Sequence, residues 1–274
     1  MKKAGNSQPM PVPCSGPDGC RAGAGESPRR TVSRRMHKAV LGLLVSSLLF
    51  MPSLVSAEDG RAYIDLSAGF KTGDFGTPVR SNLYYFLPAW GYVSSTYDVS
   101  ISAPYLFLSD DNGGQSNGLG DIVLRGGRAL IPEGSTGVSL HGALALKLPT
   151  ADETRGLGTG ETDYGAFLTL HKRFDTLKLS LMAGYLKIGD PPALDYDDSY
   201  SYGVGLSWTT ARTSLYASLE GRRAIVAGAE NPLEINLGFM RALDARYMRK
   251  GSAFAGLNDG GPAFGIAAGM VRWF

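Results

Sequence analysis

The segment "VSLHGALALKL", Val138 to Leu148, decides the fold because its side chains alternate between two kinds. Apolar residues and one glycine occupy the even positions, whereas the odd positions carry Ser139, His141 and Lys147 with two alanines between them. A period of two is typical of a β-strand with one apolar and one polar face. The segment also has the length of about 9–11 residues that a tilted strand needs to cross a membrane.

The same alternation recurs throughout residues 58–274, as in Leu177–Tyr185 and Tyr200–Trp208. No stretch in this part of the sequence shows convincing helical spacing of apolar residues. The pattern predicts twelve strands, centred near residues 66, 87, 102, 125, 143, 167, 182, 205, 217, 237, 252 and 268.

The connections between the predicted strands alternate in length. Longer polar connections follow the odd-numbered strands, at 71–81, 109–118, 149–161, 189–199, 226–232 and 257–261. Short ones follow the even-numbered strands, at 93–96, 131–136, 173–176, 209–212 and 242–246. Outer-membrane barrels sort their loops in this way. The sequence therefore predicts an all-β fold: a closed antiparallel transmembrane β-barrel of about 12 strands, with short periplasmic turns and longer extracellular loops. A secreted soluble β-protein is the alternative.

The front of the chain differs in kind from the rest. Residues 1–35 are rich in Pro, Gly, Ser and Arg, which predicts a disordered leader or a start codon assigned too early, with Met36 as the true start. Residues 36–57 have the order of a signal peptide: basic residues, an apolar run and small residues before a cleavage point after Ala57. The predicted mature part is the barrel, residues 58–274, exported through a cleaved signal peptide to the cell outer membrane of a Gram-negative bacterium.

Cysteine usage and charge exclude several function classes. Cys14 and Cys20 both precede the cleavage point, so the mature part has no disulfide, thiol nucleophile or cysteine metal site. Residues 58–274 carry 19 Lys and Arg against 23 Asp and Glu, a net charge of −4. This acidic balance disfavours a nucleic-acid partner. No cofactor is predicted.

Two motifs carry a family resemblance, "NGLGDIVLRGGRAL" (Asn117–Leu130) and "LKLPTADETRGLGTGETDYG" (Leu146–Gly165). Together they resemble the MetA-pathway-of-phenol-degradation family of outer-membrane transporter-like β-barrels. The matching residues are Gly118, Gly120, Asp121, Lys147, Leu148, Pro149, Thr150, Gly156, Gly158, Gly160 and Asp163. The resemblance implies a barrel that passes small, often hydrophobic or aromatic compounds, with no catalytic residues. The run "GLGTG" is not a phosphate loop, because no Lys-Ser/Thr follows it and no helix is predicted after it.

Period-two parity assigns polar side chains to the lumen, since the lipid face must be apolar. The pore-lining candidates are Asp65, Asp121, Arg125, His141, Lys147, Asp163, His171, Lys178, Glu220, Arg222 and Glu234. Their mixed charges favour internal salt bridges or a narrow polar pore over strong ion selectivity. A strand 5–6 hairpin symmetric about residue 156 would pair His141 with His171 and Lys147 with Gly165. A metal site there lacks an evident third ligand, so no metal is predicted.

The function predicted from the sequence is passive uptake of small, hydrophobic or aromatic solutes through an outer-membrane channel, without enzymatic activity. The alternatives are an outer-membrane lipid-modifying enzyme that uses Ser and His, and a structural or adhesive surface barrel. The predicted partners are a small-molecule solute, outer-membrane lipids, lipopolysaccharide at the acidic loops, and the barrel-insertion machinery, which reads a terminal strand such as the one that ends at Trp273-Phe274.

Overall fold

The computed structural model describes residues 60–75, 79–191 and 196–274. They form β1 (Arg61–Gly73), β2 (Ser81–Val93), β3 (Tyr97–Ser102), β4 (Tyr105–Asp110), β5 (Gln115–Leu119), β6 (Ile122–Ile131), β7 (Val138–Leu148), β8 (Asp163–Phe174), β9 (Leu177–Lys187), β10 (Ser199–Thr209), β11 (Thr213–Arg222), β12 (Leu233–Ala242), β13 (Tyr247–Gly256) and β14 (Phe264–Trp273), with a 3-10 turn at Glu153–Arg155. The predicted leader and signal peptide, residues 1–57, lie outside the described residues. Within the described part of the chain, no helix has the length and apolar character needed to span a membrane.

The strands form a closed antiparallel barrel. Each strand pairs with its neighbours in the wall, and β1 pairs with both β2 and β14. The closing seam runs in continuous register from Tyr63 opposite Trp273 to Thr72 opposite Phe264. Closure gives the backbone N–H and C=O groups of the first and last strands hydrogen-bonding partners, as a hydrocarbon environment requires.

Among the described residues, fourteen strand segments make twelve positions in the wall. β2 pairs with β3 at Ala89–Ser102 and with β4 at Phe86–Tyr105, so β3 and β4 are two halves of one wall strand. β5 and β6 likewise pair with the two halves and form the next wall strand. The break between β3 and β4 lies opposite Pro88, which has no N–H to donate. The predicted twelve-strand barrel is confirmed.

The predicted loop 109–118 is wrong in extent, because strands occupy most of it. β4 continues to Asp110 and β5 begins at Gln115, which leaves a tight turn at residues 111–114. The carboxylate of Asp110 is buried and accepts hydrogen bonds from the N–H groups of Asn112 and Gly114, both at 2.9 Å. Asp110 therefore stabilises the turn from inside the barrel.

The outer face of the barrel is apolar. Large exposed side chains such as Leu66, Leu144 and Leu181 point away from the lumen. Exposed aromatic residues lie near both rims: Tyr84, Tyr164 and Tyr200 near one end, and Trp90, Tyr97 and Trp208 near the other. A tall apolar band between two aromatic girdles is typical of barrels that span a membrane.

The two ends of the barrel differ in their connections. One end carries 74–80, 111–114, 149–162, 188–198, 223–232 and 257–263, and the other carries 94–96, 132–137, 175–176, 210–212 and 243–246. We call these the long-loop end and the short-loop end. That the short-loop end faces the periplasm stays a prediction.

Candidate functional site in the barrel lumen

The inner face of the wall carries the polar side chains. Strand register and burial place the pore-lining candidates on this face or against it: Asp65, Asp121, Arg125, His141, Lys147, Asp163, His171, Lys178, Glu220, Arg222 and Glu234. Asp121 lies between β5 and β6, and the others lie on strands. Whether they line a conducting path stays a prediction.

Lys147 is the centre of one buried charge cluster. Its Nζ lies 2.7 Å from Asp163 Oδ2 and 3.5 Å from Asp121 Oδ2, and it donates to Thr159 Oγ1 at 2.8 Å. Asp121 also accepts a hydrogen bond from the N–H of Ala151 at 3.0 Å. The single ammonium of Lys147 therefore pairs with two carboxylates next to the connection 149–162.

Two further ion pairs lie nearer the short-loop end. Lys250 bonds Asp65, which also accepts a 2.7 Å hydrogen bond from Ser67. His141 Nε2 lies 2.8 Å from Asp98 Oδ1. Asp98 was not among the pore-lining candidates, although its alternation with outward Val99 predicts an inward position.

A second charge cluster surrounds a small cavity of about 30 Å³, enough for about one water molecule. Lys71, Glu220, Arg222 and Glu234 line it, and the ammonium of Lys71 lies 4.6 Å from the ring centre of Phe254. Arg222 Nη2 lies 3.8 Å from Glu234 Oε1. Lys71 was predicted to begin a loop, whereas β1 continues to Gly73 and buries the Lys71 side chain.

The predicted direct pairing of the two histidines is wrong. His141 lies opposite Thr169 and His171 lies opposite Ser139, because Lys147 pairs with Asp163 and the hairpin is symmetric about residue 155. His171 Nδ1 instead lies 2.8 Å from the buried Ser180 hydroxyl. Among the described residues, no three His, Cys, Asp or Glu side chains are grouped to hold a metal ion.

The connection 149–162 folds into the lumen. Its residues 156–159 are buried, and Leu157 packs in an apolar cluster with the inward residues Leu83, Leu106 and Leu108 of β2 and β4. Ser116 on β5 donates a 2.7 Å hydrogen bond to the carbonyl of Arg155. The run "GLGTG", interpreted above as part of an outer loop, therefore lies against the inner wall.

Local chemistry explains this path. The carboxylate of Asp152 accepts from the N–H groups of Thr154 and Arg155 at 3.0 and 3.3 Å, which caps the 3-10 turn. Gly156 ends the turn with φ of 71°, a conformation that favours glycine. A Cβ on Gly118 would lie 2.7 Å from Leu157 Cδ1, so the missing side chain makes room for the leucine. In the sequence, the single leucine among the glycines of this loop was the sign that an apolar side chain here needs a buried position.

Two acidic residues of the long-loop rim, Asp197 and Asp198, have partners within the chain. Tyr185 donates to Asp198 at 2.5 Å and the N–H of Ile188 donates at 3.1 Å, which together hold the pKa of the Asp198 carboxyl below its usual value. Asp197 pairs with Arg223 at 3.0 Å. A lipopolysaccharide partner at this rim stays a prediction.

No protein-family model matches the chain, and no curated protein matches it. Among solved structures, the chain is similar to the COG4313 outer membrane channel from Pseudomonas putida F1, with 16% identity, a TM-score of 0.69, and coverage of 82% of this chain and 99% of that one. It is also similar to the KdgM porin in complex with disordered oligogalacturonate (11% identity, TM-score 0.51, 77% and 99% coverage). The translocator domain of the autotransporter NalP from Neisseria meningitidis matches with 13% identity, a TM-score of 0.51, and 90% and 96% coverage. At these identities the similarity shows the fold, that of an outer-membrane β-barrel.

Proposed function

We propose that this chain is an outer-membrane channel for the passive passage of small apolar or aromatic solutes. The observation that carries the proposal is an apolar patch on the inner wall, formed by Leu83, Tyr85, Leu106 and Leu108. The inner faces of membrane barrels are normally polar. An apolar inner patch suits a solute that is itself apolar.

The charged lining supports a solute without strong charge preference. The Lys147, Lys250 and Arg222 side chains each have a carboxylate within 4 Å on the inner wall. Paired charges cancel most of the field that would select anions or cations. The resemblance to the MetA-pathway-of-phenol-degradation family points to the same class of solute. A cleaved signal peptide and the barrel-insertion machinery would deliver the chain to the membrane.

Liposome swelling tests this proposal. Vesicles that contain the purified protein are diluted into sodium benzenesulfonate or sodium methanesulfonate. The anions of these two salts carry the same charge, but one has a phenyl ring where the other has a methyl group. We expect swelling in both, and faster swelling in benzenesulfonate despite its larger size, because the ring binds the apolar patch. A general pore would pass the smaller ion faster, and a structural barrel or an enzyme would leave swelling at the level of protein-free vesicles.

Two arginines of one strand provide a matched control. Arg125 faces the lumen, whereas Arg128, three residues along β6, is exposed on the outer face. Arg125→Gln should slow the entry of both sulfonates, because it removes a cation from the path of an anion. Arg128→Gln should leave both rates unchanged. Equal effects of the two substitutions would contradict a path through the lumen.

A further inference from the structure

Leu157 occupies the apolar inner patch that the proposed function assigns to a solute. The connection 149–162 carries this side chain inward, where it is 1% exposed and packs with Leu83, Leu106 and Leu108. Without the connection, these inward side chains would face a polar lumen. The loop therefore covers the same surface that an entering apolar solute would contact.

The attachment of Leu157 can be broken without leaving an isolated buried charge. Lys147 donates to Thr159 of the connection at 2.8 Å, but it also pairs with Asp163 and Asp121 of the wall. If residues 156–159 leave the wall, the ammonium keeps both carboxylates. The hydrogen bond from Ser116 to the Arg155 carbonyl joins two groups that water can satisfy, and the bond from the Ala151 N–H to Asp121 lies outside residues 156–159.

We propose that Leu157 is a selectivity residue that apolar solutes displace in order to pass. The inference rests on the proposed function and adds a gate to it. An apolar solute replaces the contacts that Leu157 makes with the inner patch, so displacement leaves that patch covered. A polar solute cannot cover the patch, and the loop therefore stays in place.

Single-channel current in planar bilayers measures the fraction of time for which this gate is open. Leu157→Ser should raise the open fraction several-fold over wild type, because serine gains little from the apolar patch. The matched control is Leu257→Ser, since Leu257 lies in a connection at the same end of the barrel and is 55% exposed. This control should leave the open fraction unchanged.

The probe p-cresol tests displacement by a solute. It should raise the open fraction of the wild type but add little to that of Leu157→Ser, whereas glycerol should change neither. A Ser116→Cys, Arg155→Cys variant, with Cys14 and Cys20 replaced by serine, allows a short thiol crosslinker to hold the connection on the wall. Crosslinking should abolish the response to p-cresol, and a cleavable crosslinker should restore it on reduction.

The outcomes separate the gate from the channel. Absence of current and of swelling in the wild type and every variant would overturn the proposed function itself. Current in the wild type that Leu157→Ser does not raise, or a p-cresol response that survives crosslinking, would overturn the gate while leaving the channel. The crosslinked protein retains Leu157, so this second readout holds even if Leu157→Ser fails to fold.

Discussion

At the scale of single residues, Lys147 gives the clearest test of a buried charge in the wall. It is 6% exposed and pairs with Asp163 and Asp121, so Lys147→Met leaves the buried Asp121 and the 12% exposed Asp163 without their cation. Breaking a buried ion pair from one side costs about 3–5 kcal/mol. We expect a loss of this size in the free energy of unfolding, measured by urea titration in lipid vesicles.

The matched control for this substitution is Lys187→Met. Lys187 lies 3.4 Å from Asp198, but its side chain is 58% exposed. An exposed pair contributes about 0–1 kcal/mol. Adding Asp163→Asn to Lys147→Met should recover part of the loss. Equal losses for the two lysine substitutions would show that Lys147 is not held as the structure has it.

The face of the wall on which each side chain lies was the most predictable feature of the site. The assumed centre of the strand 5–6 hairpin, residue 156, differs from the actual centre at 155, which shifts the pairing by two residues. An even shift leaves every side chain on its face, so the inward assignment of His141 and Lys147 did not depend on the exact register. The partner of Lys147 did depend on it. The Asp98–His141 contact could not be predicted from this hairpin, because it joins β3 to β7 across Gly127 of β6.

At the scale of elements, strands were predictable and most of their irregularities were not. The alternation continues through the break near Pro104, so the pattern gave no sign of that one. Near Gly120 the inward positions change from even, as at Ser116, to odd, as at Arg125, which is the one-residue change of parity that marks this break. The inward fold of the connection 149–162 depends on contacts with β2, β4 and β5, residues distant in sequence. The conformational preferences of nearby residues predict a turn at Gly156. They do not predict on which side of the wall that turn lies.

The connection 132–137 offers a pH test at this scale. Glu133 accepts from Arg173 Nε and Nη2 at 2.6 and 3.1 Å, and this contact lowers the pKa of the Glu133 carboxyl. Because the folded-state pKa is lowered, the contribution is present above the unfolded value of about 4.3 and is lost as pH falls through the folded value. At pH 7, amide exchange in residues 132–137 should be slower in the wild type than in Glu133→Gln.

Comparison at matched pH removes the intrinsic pH dependence of exchange. At pH 3 the difference between the wild type and Glu133→Gln should shrink, because protonated glutamate and glutamine carry the same charge. The connection 210–212, which this ion pair does not reach, should exchange alike in both proteins at both pH values. A difference that persists unchanged at pH 3 would exclude the carboxylate as its source.

At the scale of the whole molecule, the apolar outer band distinguishes a membrane barrel from a soluble one. Leu181 lies at the middle of β9, is 48% exposed, and has Leu170 and Val204 opposite it on the two flanking strands. In a lipid bilayer, an arginine near the middle of such a band costs about 2–4 kcal/mol. In water, a surface substitution away from special features changes stability by about 0.5 kcal/mol or less.

Leu181→Arg should therefore lower the free energy of unfolding in lipid vesicles by about 2–4 kcal/mol if the band faces lipid. The matched control is Leu243→Arg, because Leu243 is 44% exposed but lies in a connection at the short-loop end, beyond the strands. This control should cost about 0–1 kcal/mol, as substitutions near the interface do. A small effect of both substitutions would place the band in water, and the membrane function proposed for the lumen would then lose its basis.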